Sequence, residues 1–138
     1  MHTADVAQVA ALSEQLGYPT TAAHIAQRFQ ALSHNQGHGF FVATHDKNNK
    51  ALGWVHIYGV HLLETEGYAE IGGLVVDSTA RRQGVGRALM QAAEQWAQEH
   101  GYQEVRLRSG AHRHEAHLFY QRIGYTLTKT SYMFRKPL

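Results

Sequence analysis

The chain has 138 residues, a length that fits one domain spanning residues 1–138 and hardly leaves room for two. It contains no cysteine, which excludes disulfides, thiolate metal sites and a cysteine nucleophile. Its net charge of +2 and the absence of a basic stripe disfavour a nucleic-acid partner. No apolar run approaches the ~20 residues of a membrane helix, and residues 1–16 lack the apolar core of a signal peptide. A soluble, cytoplasmic protein with no membrane partner is therefore expected.

Two helices are predicted in the N-terminal third. The first has apolar residues every three or four positions, at Val6, Val9, Leu12 and Leu16. Gly17-Tyr18-Pro19 should stop it. Thr20 or Thr21 can cap the second helix, because a side-chain hydroxyl accepts a hydrogen bond from an N–H of the first turn. The second helix carries its apolar stripe at Ile25, Phe29 and Leu32, and Gly37-His38-Gly39 should end it.

The pattern then changes to strands. Phe40 to Thr44 is short and β-prone, and a polar turn over residues 46–50 joins it to a partner strand, Ala51 to Tyr58. Gly59 to Gly67 is expected to be a longer loop. Tyr68 to Val76 has the high apolar content of a third, well-buried strand.

The second half alternates helices and strands. A helix begins at Val85 and ends near Gly101, a strand covers Glu104 to Ser109, and a short amphipathic helix ends at Gly124. Tyr125 to Phe134 should close the chain as one strand or two. This order predicts an α+β fold with mixed α/β layers, a mostly antiparallel mixed sheet flanked by helices.

The segment between the third strand and the following helix carries the clearest chemical signal. Arg81-Arg82-Gln83-Gly84-Val85-Gly86-Arg87-Ala88 combines glycines, which let the backbone approach a ligand, with the N-terminus of a helix and three arginines. A diphosphate is the natural ligand. A dinucleotide motif would need a third glycine where Leu89 stands, and no Gly-Lys-Ser/Thr triplet of a P-loop occurs. A simple strand-to-helix turn remains the alternative on glycine spacing alone.

Three motifs in register resemble the GNAT superfamily, the Gcn5-related N-acetyltransferases. Arg81-x-x-Gly84-x-Gly86 is similar to that family's pyrophosphate loop. The strand Ala69 to Val76 looks like its fourth strand. The stretch Ala116 to Tyr125, with Phe119, Tyr120 and Gly124, resembles its A-x-x-F-Y-x-x-x-G-F/Y signature.

The resemblance implies a fold and a co-substrate. Its sheet is splayed into a V between the family's fourth and fifth strands, and acetyl-CoA lies in that cleft. Backbone groups of Leu74, Val75 and Val76 would hold the pantetheine arm, and the segment after them would hold the pyrophosphate. The residues implied there are Arg81, Arg82, Gln83, Gly84, Val85, Gly86, Arg87 and Ala88. Arg113 stands where many members have an asparagine, and it could contact the co-substrate in its place.

Glu70 is the candidate general base for acetyl transfer to an amine. In an extended strand it shares a face with Leu74 and Val76, which would place it in the wall of the cleft. It precedes Gly84 by fourteen residues, a position similar to that of the glutamate base in histone-acetylating members. The alternative is a solvated strand glutamate, with His56 or Tyr68 acting through water. An N–H near Leu74 or Val75 would stabilise the oxyanion.

Tyr120 is the candidate general acid for the departing thiolate. The alternative is core packing, because Ala116, Phe119, Tyr120 and Ile123 form an apolar stripe. Phe119 is the more natural core member of the two aromatic residues, which leaves the Tyr120 hydroxyl to turn towards the sulfur.

The predicted function is transfer of an acetyl group from acetyl-CoA to a primary amine of a small molecule or peptide, by direct attack in a ternary complex. The alternative is a non-catalytic acyl-CoA-binding or regulatory module on the same fold. The densest histidine group, His112, His114 and His117, lacks a known metal-ligand pattern, so no metal site is expected. A homodimer remains open, since members of the family are often dimers.

Overall fold

The computed structural model describes residues 1–15, 17 and 20–138. The chain divides into two compact units, Met1–Leu107 and Arg108–Leu138. Among the described residues, the first contains the sheet and most of the helices, and the second contains one helix followed by a segment with neither helix nor strand. Within the described residues, no helix is both long and apolar enough to cross a membrane.

The sheet of the first unit has the order β1-β2-β3-β4. Its strands are β1 (His38–Thr44), β2 (Ala51–Leu62), β3 (Thr65–Val76) and β4 (Val105–Arg106). The first three are antiparallel neighbours, and β4 runs parallel to β3. The predicted mixed, mostly antiparallel sheet is therefore confirmed, and β3 and β4 take the places of the family's fourth and fifth strands.

The long loop predicted over Gly59 to Gly67 is wrong. β2 continues to Leu62 and β3 already begins at Thr65, so the connection is a tight turn. Val60 pairs with Tyr68 and Leu62 with Thr65 across the hairpin. Gly59 and Gly67 lie within these strands, because glycine lowers the stability of a strand but does not prevent its formation.

Helices cover both sides of this sheet. They are α1 (Val6–Glu14), preceded by a 3-10 turn, α2 (Ala22–Ser33) and α3 (Val85–Glu99). The N–H of His24 donates to Thr21 Oγ1 over 3.1 Å, which confirms the predicted cap of the second helix. The predicted helix position Leu16 and the predicted stop residues Tyr18 and Pro19 lie outside the described residues.

The second helix ends earlier than predicted. α2 stops at Ser33, whereas His38 and Gly39 belong to β1. Gly39 is needed there for close packing, because a Cβ on it would stand 2.8 Å from the indole ring of Trp96 in α3. The glycine therefore marks a point where helix and strand touch, and it does not mark the end of a helix.

Two apolar layers hold the first unit together. Val55 and Ile57 of β2 are fully buried on the side that α3 covers, as is Met90 of α3 itself. A fully buried side chain of this size contributes about 1.5–3 kcal/mol to the hydrophobic free energy of folding. On the other side, Leu12 of α1 packs with Val75 and Trp54. The sheet is thus a central layer between α3 and the N-terminal helices.

The second unit contains α4 (His114–Arg122), which is followed two residues later by Gly124 with φ +104°. This confirms the predicted helix and its glycine stop. The predicted strand over Tyr125 to Phe134 is wrong, since residues 125–138 carry no strand. Glu104 to Ser109 likewise forms a strand only at Val105–Arg106. Strands exist only where a neighbouring strand supplies hydrogen-bond partners, and an apolar alternating pattern does not supply them.

Candidate functional site

A β-bulge at Gly72 shapes the middle of β3. His56 of β2 lies opposite Gly73, and the next residue, Ile57, lies opposite Ile71, so Gly72 is an extra residue without a partner across the ladder. Two hydrogen bonds show its effect. Ala69 N–H donates to Glu104 O on the β4 side over 3.0 Å, whereas Asp77 N–H donates to Leu52 O on the β2 side over 2.8 Å. Both positions are odd-numbered, and a regular strand would point both amides the same way.

The bulge decides which backbone groups face β4. Counting back from Asp77, the N–H and C=O groups of Val76 and Leu74 point away from β2, and those of Val75 point towards it. β4 pairs with β3 only at Ala69 and Glu70 in the part of the chain that the structure describes. The edge of β3 beyond Glu70 is therefore open at Leu74 and Val76, in agreement with the predicted splay.

This geometry corrects the backbone role predicted for Val75. Its backbone groups pair with Trp54 in the β2–β3 ladder and so do not face the opening. The backbone groups of Leu74 and Val76 point away from β2, so the role predicted for these two residues stays a prediction. The family resemblance had assigned this role to three consecutive residues, and which of them face the opening depends on the bulge at Gly72.

The face assigned to Glu70 is also corrected. Glu70 lies opposite Tyr58, and Gly73 lies opposite His56. Since Tyr58 and His56 point to the same face of β2, Glu70 shares its face with Gly73 and Val75, not with Leu74 and Val76. Glu70 is half-buried there, and Tyr58 Oη donates a hydrogen bond to its Oε2 over 2.5 Å.

Tyr58 belongs to a group of four neighbouring rings that we call the ring cluster: His38 and Phe40 of β1 with His56 and Tyr58 of β2. The Phe40 and His56 rings stack at 4.3 Å between centroids, and those of His38 and Tyr58 at 5.7 Å. His38 Nδ1 lies 2.9 Å from His56 Nε2, a hydrogen bond between the two imidazoles. Of these four residues, only His56 was predicted from the sequence as a candidate site residue. The signal for the others was the alternation of ring-bearing residues along two adjacent strands.

The environment of His56 keeps its imidazole neutral at physiological pH. Burial and, to a smaller extent, the neighbouring imidazole of His38 lower its pKa to about 4. The alternative base Tyr68 is buried, and the guanidinium carbon of Arg106 lies 3.9 Å from its ring centroid. Tyr68 is therefore packed under a cation, a contact that holds its ring in place.

The segment between β3 and α3 has the features of an anion site. Gly84 stands at the helix N-cap with φ +81°, and Arg82, which is not a glycine, has φ +64°. Such backbone strain concentrates at functional sites. Ala88 N–H donates to Gly84 O over 3.0 Å, closing the first turn of α3. The amides of Val85, Gly86 and Arg87 precede this turn and have no acceptor four residues back within the helix.

The charged side chains of this segment extend into solvent. Arg81, Arg82 and Arg87 are all exposed, as is Gln83. Together with the positive end of the α3 dipole, they create a positive potential at the end of β3. This position is adjacent to the open edge at Leu74 and Val76, since only residues 77–84 separate β3 from α3.

Asp77 fixes the start of that connection. Its Oδ1 accepts from Thr79 N–H over 3.2 Å and from Gln15 Nε2 over 3.4 Å, and Gln15 Oε1 accepts from Ser78 N–H over 3.0 Å. The Thr79 N–H, with smaller contributions from Gln15 and Lys50, lowers the pKa of Asp77 below its usual value. The carboxylate thus ties the connection to the residue that follows α1.

The second unit holds the remaining predicted site residues. Tyr120 is half-buried on α4 and contacts Phe119 and Tyr125 edge-on, with ring centroids 5.2 Å and 6.1 Å away. Burial raises the pKa of Tyr120, and the charge of Arg113 opposes the rise. The phenol is therefore a proton donor at neutral pH. Arg113 is exposed at the N-cap of α4.

The histidines of this unit have structural contacts. A ring nitrogen of His117 lies 2.9 Å from Gly110 O, and the His114 and His117 rings meet edge-on at 6.0 Å. In residues 1–15, 17 and 20–138, no three histidine, aspartate or glutamate side chains converge as a metal ion would require.

A cavity of about 700 Å³ opens elsewhere on the first unit, lined by Tyr68, Gln103, Glu104 and Arg106 among others. It lies at the start of β3, whereas the arginine-glycine segment follows the end of that strand. The distance from Tyr68 to Val76 along an extended strand is roughly 26 Å at 3.3 Å per residue. This cavity is therefore separate from the arginine-glycine segment.

Comparison with known proteins decides the family. The model of the acetyltransferase (GNAT) family matches residues 6–125, which include the open edge of β3, the arginine-glycine segment and α4. The chain belongs to the GNAT acetyltransferase family. This GNAT chain is 41% identical over 69 residues to an uncharacterized N-acetyltransferase of Bacillus subtilis, YhdJ. The matched stretch is 49% of the chain and 47% of YhdJ, so the match spans about half the length of that curated relative.

Solved structures of other acetyltransferases share the fold of this GNAT chain. The aminoglycoside 6'-N-acetyltransferase AAC(6')-IG of Acinetobacter haemolyticus matches with a TM-score of 0.84 at 20% identity, covering 100% of this chain and 96% of that one. The aminoglycoside N-acetyltransferase AAC(6')-Iy, solved in complex with CoA, matches with a TM-score of 0.87 at 17% identity, covering 100% and 92%. These likenesses confirm the predicted GNAT fold.

Proposed function

We propose that this chain is an N-acetyltransferase that transfers an acetyl group from acetyl-CoA to a primary amine by direct attack in a ternary complex. The observation that carries the proposal is the adjacency of two features at the end of β3. One is the open backbone edge at Leu74 and Val76, and the other is the arginine-glycine segment at the N-terminus of α3. Membership of the GNAT family supports the same function.

The co-substrate would be held mainly by backbone groups. The amides from Gln83 to Ala88 would bind the pyrophosphate, because a helix N-terminus offers unpaired N–H groups and a favourable dipole to an anion. Arg81, Arg82 and Arg87 would add charge-assisted hydrogen bonds. The pantetheine arm would pair with the backbone of Leu74 and Val76 as an added strand. The CoA complex of AAC(6')-Iy, which has the same fold, supports this assignment.

The acceptor amine must lose a proton before it can attack. Glu70 accepts that proton, and the amine nitrogen then forms a bond to the thioester carbonyl carbon. Leu74 N–H donates to the carbonyl oxygen as it becomes negative. The carbon–sulfur bond breaks and the thiolate receives a proton from Tyr120. The surplus proton on the new amide nitrogen passes to the Tyr120 phenolate and restores the phenol, and the proton held by Glu70 leaves to solvent and restores the carboxylate. The products are the acetylated amine and CoA.

Residues 1–138 would act as one GNAT domain in this proposal. The family model runs from residue 6 to residue 125 and so includes residues of both compact units. Arg113 would contact the co-substrate in place of the asparagine found in many members. Because acetyl-CoA is an intracellular metabolite, a cytoplasmic location follows from the same proposal.

The acceptor is a primary amine on a small molecule or a peptide. Two neighbours of the same fold are aminoglycoside acetyltransferases, which act on cationic amines, and Glu70 is an acidic group suited to attract one. A screen of polyamines, aminoglycosides and peptide amines, with acetyl-CoA present and free thiol followed, tests the function. We expect thiol release that depends on one class of acceptor.

A pair of glutamate variants refines that screen. Glu70→Gln keeps the shape of the side chain but cannot take a proton, so turnover should fall by about 10²–10⁴-fold while acetyl-CoA affinity stays unchanged. Glu66→Gln is the matched control, because Glu66 lies on the same strand but is exposed. Thiol release that ignores every acceptor would instead favour a binding module, and equal activity in both variants would remove Glu70 from the chemistry.

A further inference from the structure

We propose that Tyr58 is a positioning residue for Glu70, holding the carboxylate in the orientation in which it accepts the proton of the amine. The inference rests on the proposed function and adds to it a residue that none of the GNAT motifs contains. Tyr58 lies on β2, outside the fourth-strand, pyrophosphate-loop and helix motifs that define the resemblance.

The contact follows from the sheet register. Tyr58 and Glu70 are direct partners across the β2–β3 ladder, so their side chains leave the same face side by side. Tyr58 Oη donates to Glu70 Oε2 over 2.5 Å, and both residues are half-buried. A hydrogen bond to a carboxylate is stronger than one between neutral groups. The bond therefore restricts a side chain that otherwise has several rotamers.

The phenol ring of Tyr58 is itself held in place. The His38 and His56 rings lie 5.7 Å and 5.5 Å from it, and the hydrogen bond between the two imidazoles fixes their positions. The bulge residue Gly72 leaves the space that the rings occupy. A Cβ at Gly72 would stand 2.9 Å from His56 Nδ1 and 3.2 Å from Tyr58 Cε1. Packing within the ring cluster thus holds the Tyr58 hydroxyl in one position.

Rigidity at this point matters for the rate of proton transfer. The general base must meet the amine within hydrogen-bond reach, and a carboxylate that turns away is lost from the reaction. One oxygen of Glu70 is engaged by Tyr58, which fixes the plane of the carboxylate. Other charged or titratable groups around Glu70 are Tyr68 on its own strand, Arg106 opposite it on β4, and His56 next to Tyr58.

A double-mutant cycle tests whether Tyr58 acts through Glu70. Tyr58→Phe removes only the hydroxyl and keeps the ring in its stack, so we expect kcat to fall by about 10-fold with KM for acetyl-CoA and the melting temperature unchanged. In the Glu70→Gln background the same substitution should have little further effect, because the base that it positions is already gone.

Tyr102→Phe provides the matched control. This substitution also removes a hydroxyl that contacts a partner, a ring nitrogen of His61 at 3.0 Å. Tyr102 lies outside the ring cluster. Its substitution should leave kcat unchanged. Full activity in Tyr58→Phe, or an equal loss in both backgrounds, would overturn the inference. Wild-type protein without acceptor-dependent acetyl transfer would instead overturn the proposed function, and an active Glu70→Gln variant would overturn the inference together with the base.

Discussion

Replacing Gly72 with alanine places a methyl group at the bulge that sets the geometry of the site. The new Cβ would lie 2.9 Å from His56 Nδ1, whereas ordinary contacts begin at 3.4 Å, so an atom must move by about 0.5 Å. The second neighbour, Tyr58 Cε1, is also too close at 3.2 Å. Both neighbours belong to rings packed in the ring cluster, so neither can move aside without disturbing the hydrogen bond from Tyr58 to Glu70.

The size of the effect follows from these contacts. Overpacking lowers the free energy of unfolding by about 1–3 kcal/mol. Alanine also reduces the backbone freedom of the unfolded chain, which raises the free energy of unfolding by about 0.4–1 kcal/mol. A net loss of roughly 1–2 kcal/mol corresponds to a fall of about 3–8 °C in melting temperature for a chain of this length. Since a displacement of 1 Å can cost about 10²-fold in rate, a displacement half as large should reduce kcat by about 10-fold.

Thermal melting by circular dichroism and steady-state kinetics measure the two effects. Gly37→Ala is the matched control, because the nearest atom to its added Cβ is the end of the Asn35 side chain, at 3.1 Å, in an exposed loop. We expect the control to keep nearly wild-type stability and rate. A wild-type melting temperature and turnover in Gly72→Ala would refute the packing of the rings against the bulge. It would also refute the proposal that this packing positions Tyr58 and, through it, Glu70.

Three further predictions concern the loop, the ring cluster and the candidate acid. Gly86→Glu should abolish acetyl-CoA binding in calorimetry without unfolding the protein, because a carboxylate would repel the pyrophosphate; unchanged affinity would mean that the loop is misassigned. The pKa of His56 is about 4 in the folded protein and 6.5 in the unfolded chain, so the unfolded state binds more protons between these values. The free energy of unfolding should therefore have its full value above pH ~6.5 and fall as the pH is lowered towards ~4. The fall should be on the order of 1–2 kcal/mol after allowance for solvent screening. In urea titrations, His56→Gln should flatten this dependence of stability on pH. Tyr120→Phe should lower kcat by about 10²-fold with an unchanged melting temperature, and full activity would return Tyr120 to a packing role.

The sequence predicted the features that depend on local chemistry. The cap at Thr21, the glycine stops at Gly101 and Gly124, and the strand-to-helix segment around Gly84 all follow from the conformations that these residues prefer. The family resemblance rested on the same local motifs, and the match over residues 6–125 confirms it.

The sequence could not predict the features that depend on how strands pair. The bulge at Gly72 reverses the faces of every later residue in β3, yet Gly72-Gly73 gives no sign of which glycine is the extra one. The hydrogen bond between Tyr58 and Glu70 depends on the register of two strands joined by a turn that was predicted as a long loop. Likewise, β4 is short because its pairing with β3 ends at Glu70, which its own composition does not reveal.

The alternative of a non-catalytic acyl-CoA-binding module differs from the enzyme in what the protein needs around Glu70. A binding module needs the open edge and the loop, but it has no use for a carboxylate held by a tyrosine hydroxyl. The contact between Tyr58 and Glu70 therefore favours the enzyme, and variants at Glu70 that leave acetyl-CoA binding intact separate the two functions.

The most direct test of the account follows the acetyl group itself. Acetyl-CoA labelled in its acetyl carbons would be mixed with excess protein and the acceptor identified in the amine screen, and the quenched reaction would be examined by mass spectrometry over a single turnover. We predict that the label passes from acetyl-CoA to the amine, with no labelled protein at any time and with formation of one CoA for each acetylated amine. Label that accumulates on the protein would contradict direct attack in a ternary complex, and label that stays on CoA while the protein binds it tightly would contradict the acetyltransferase function.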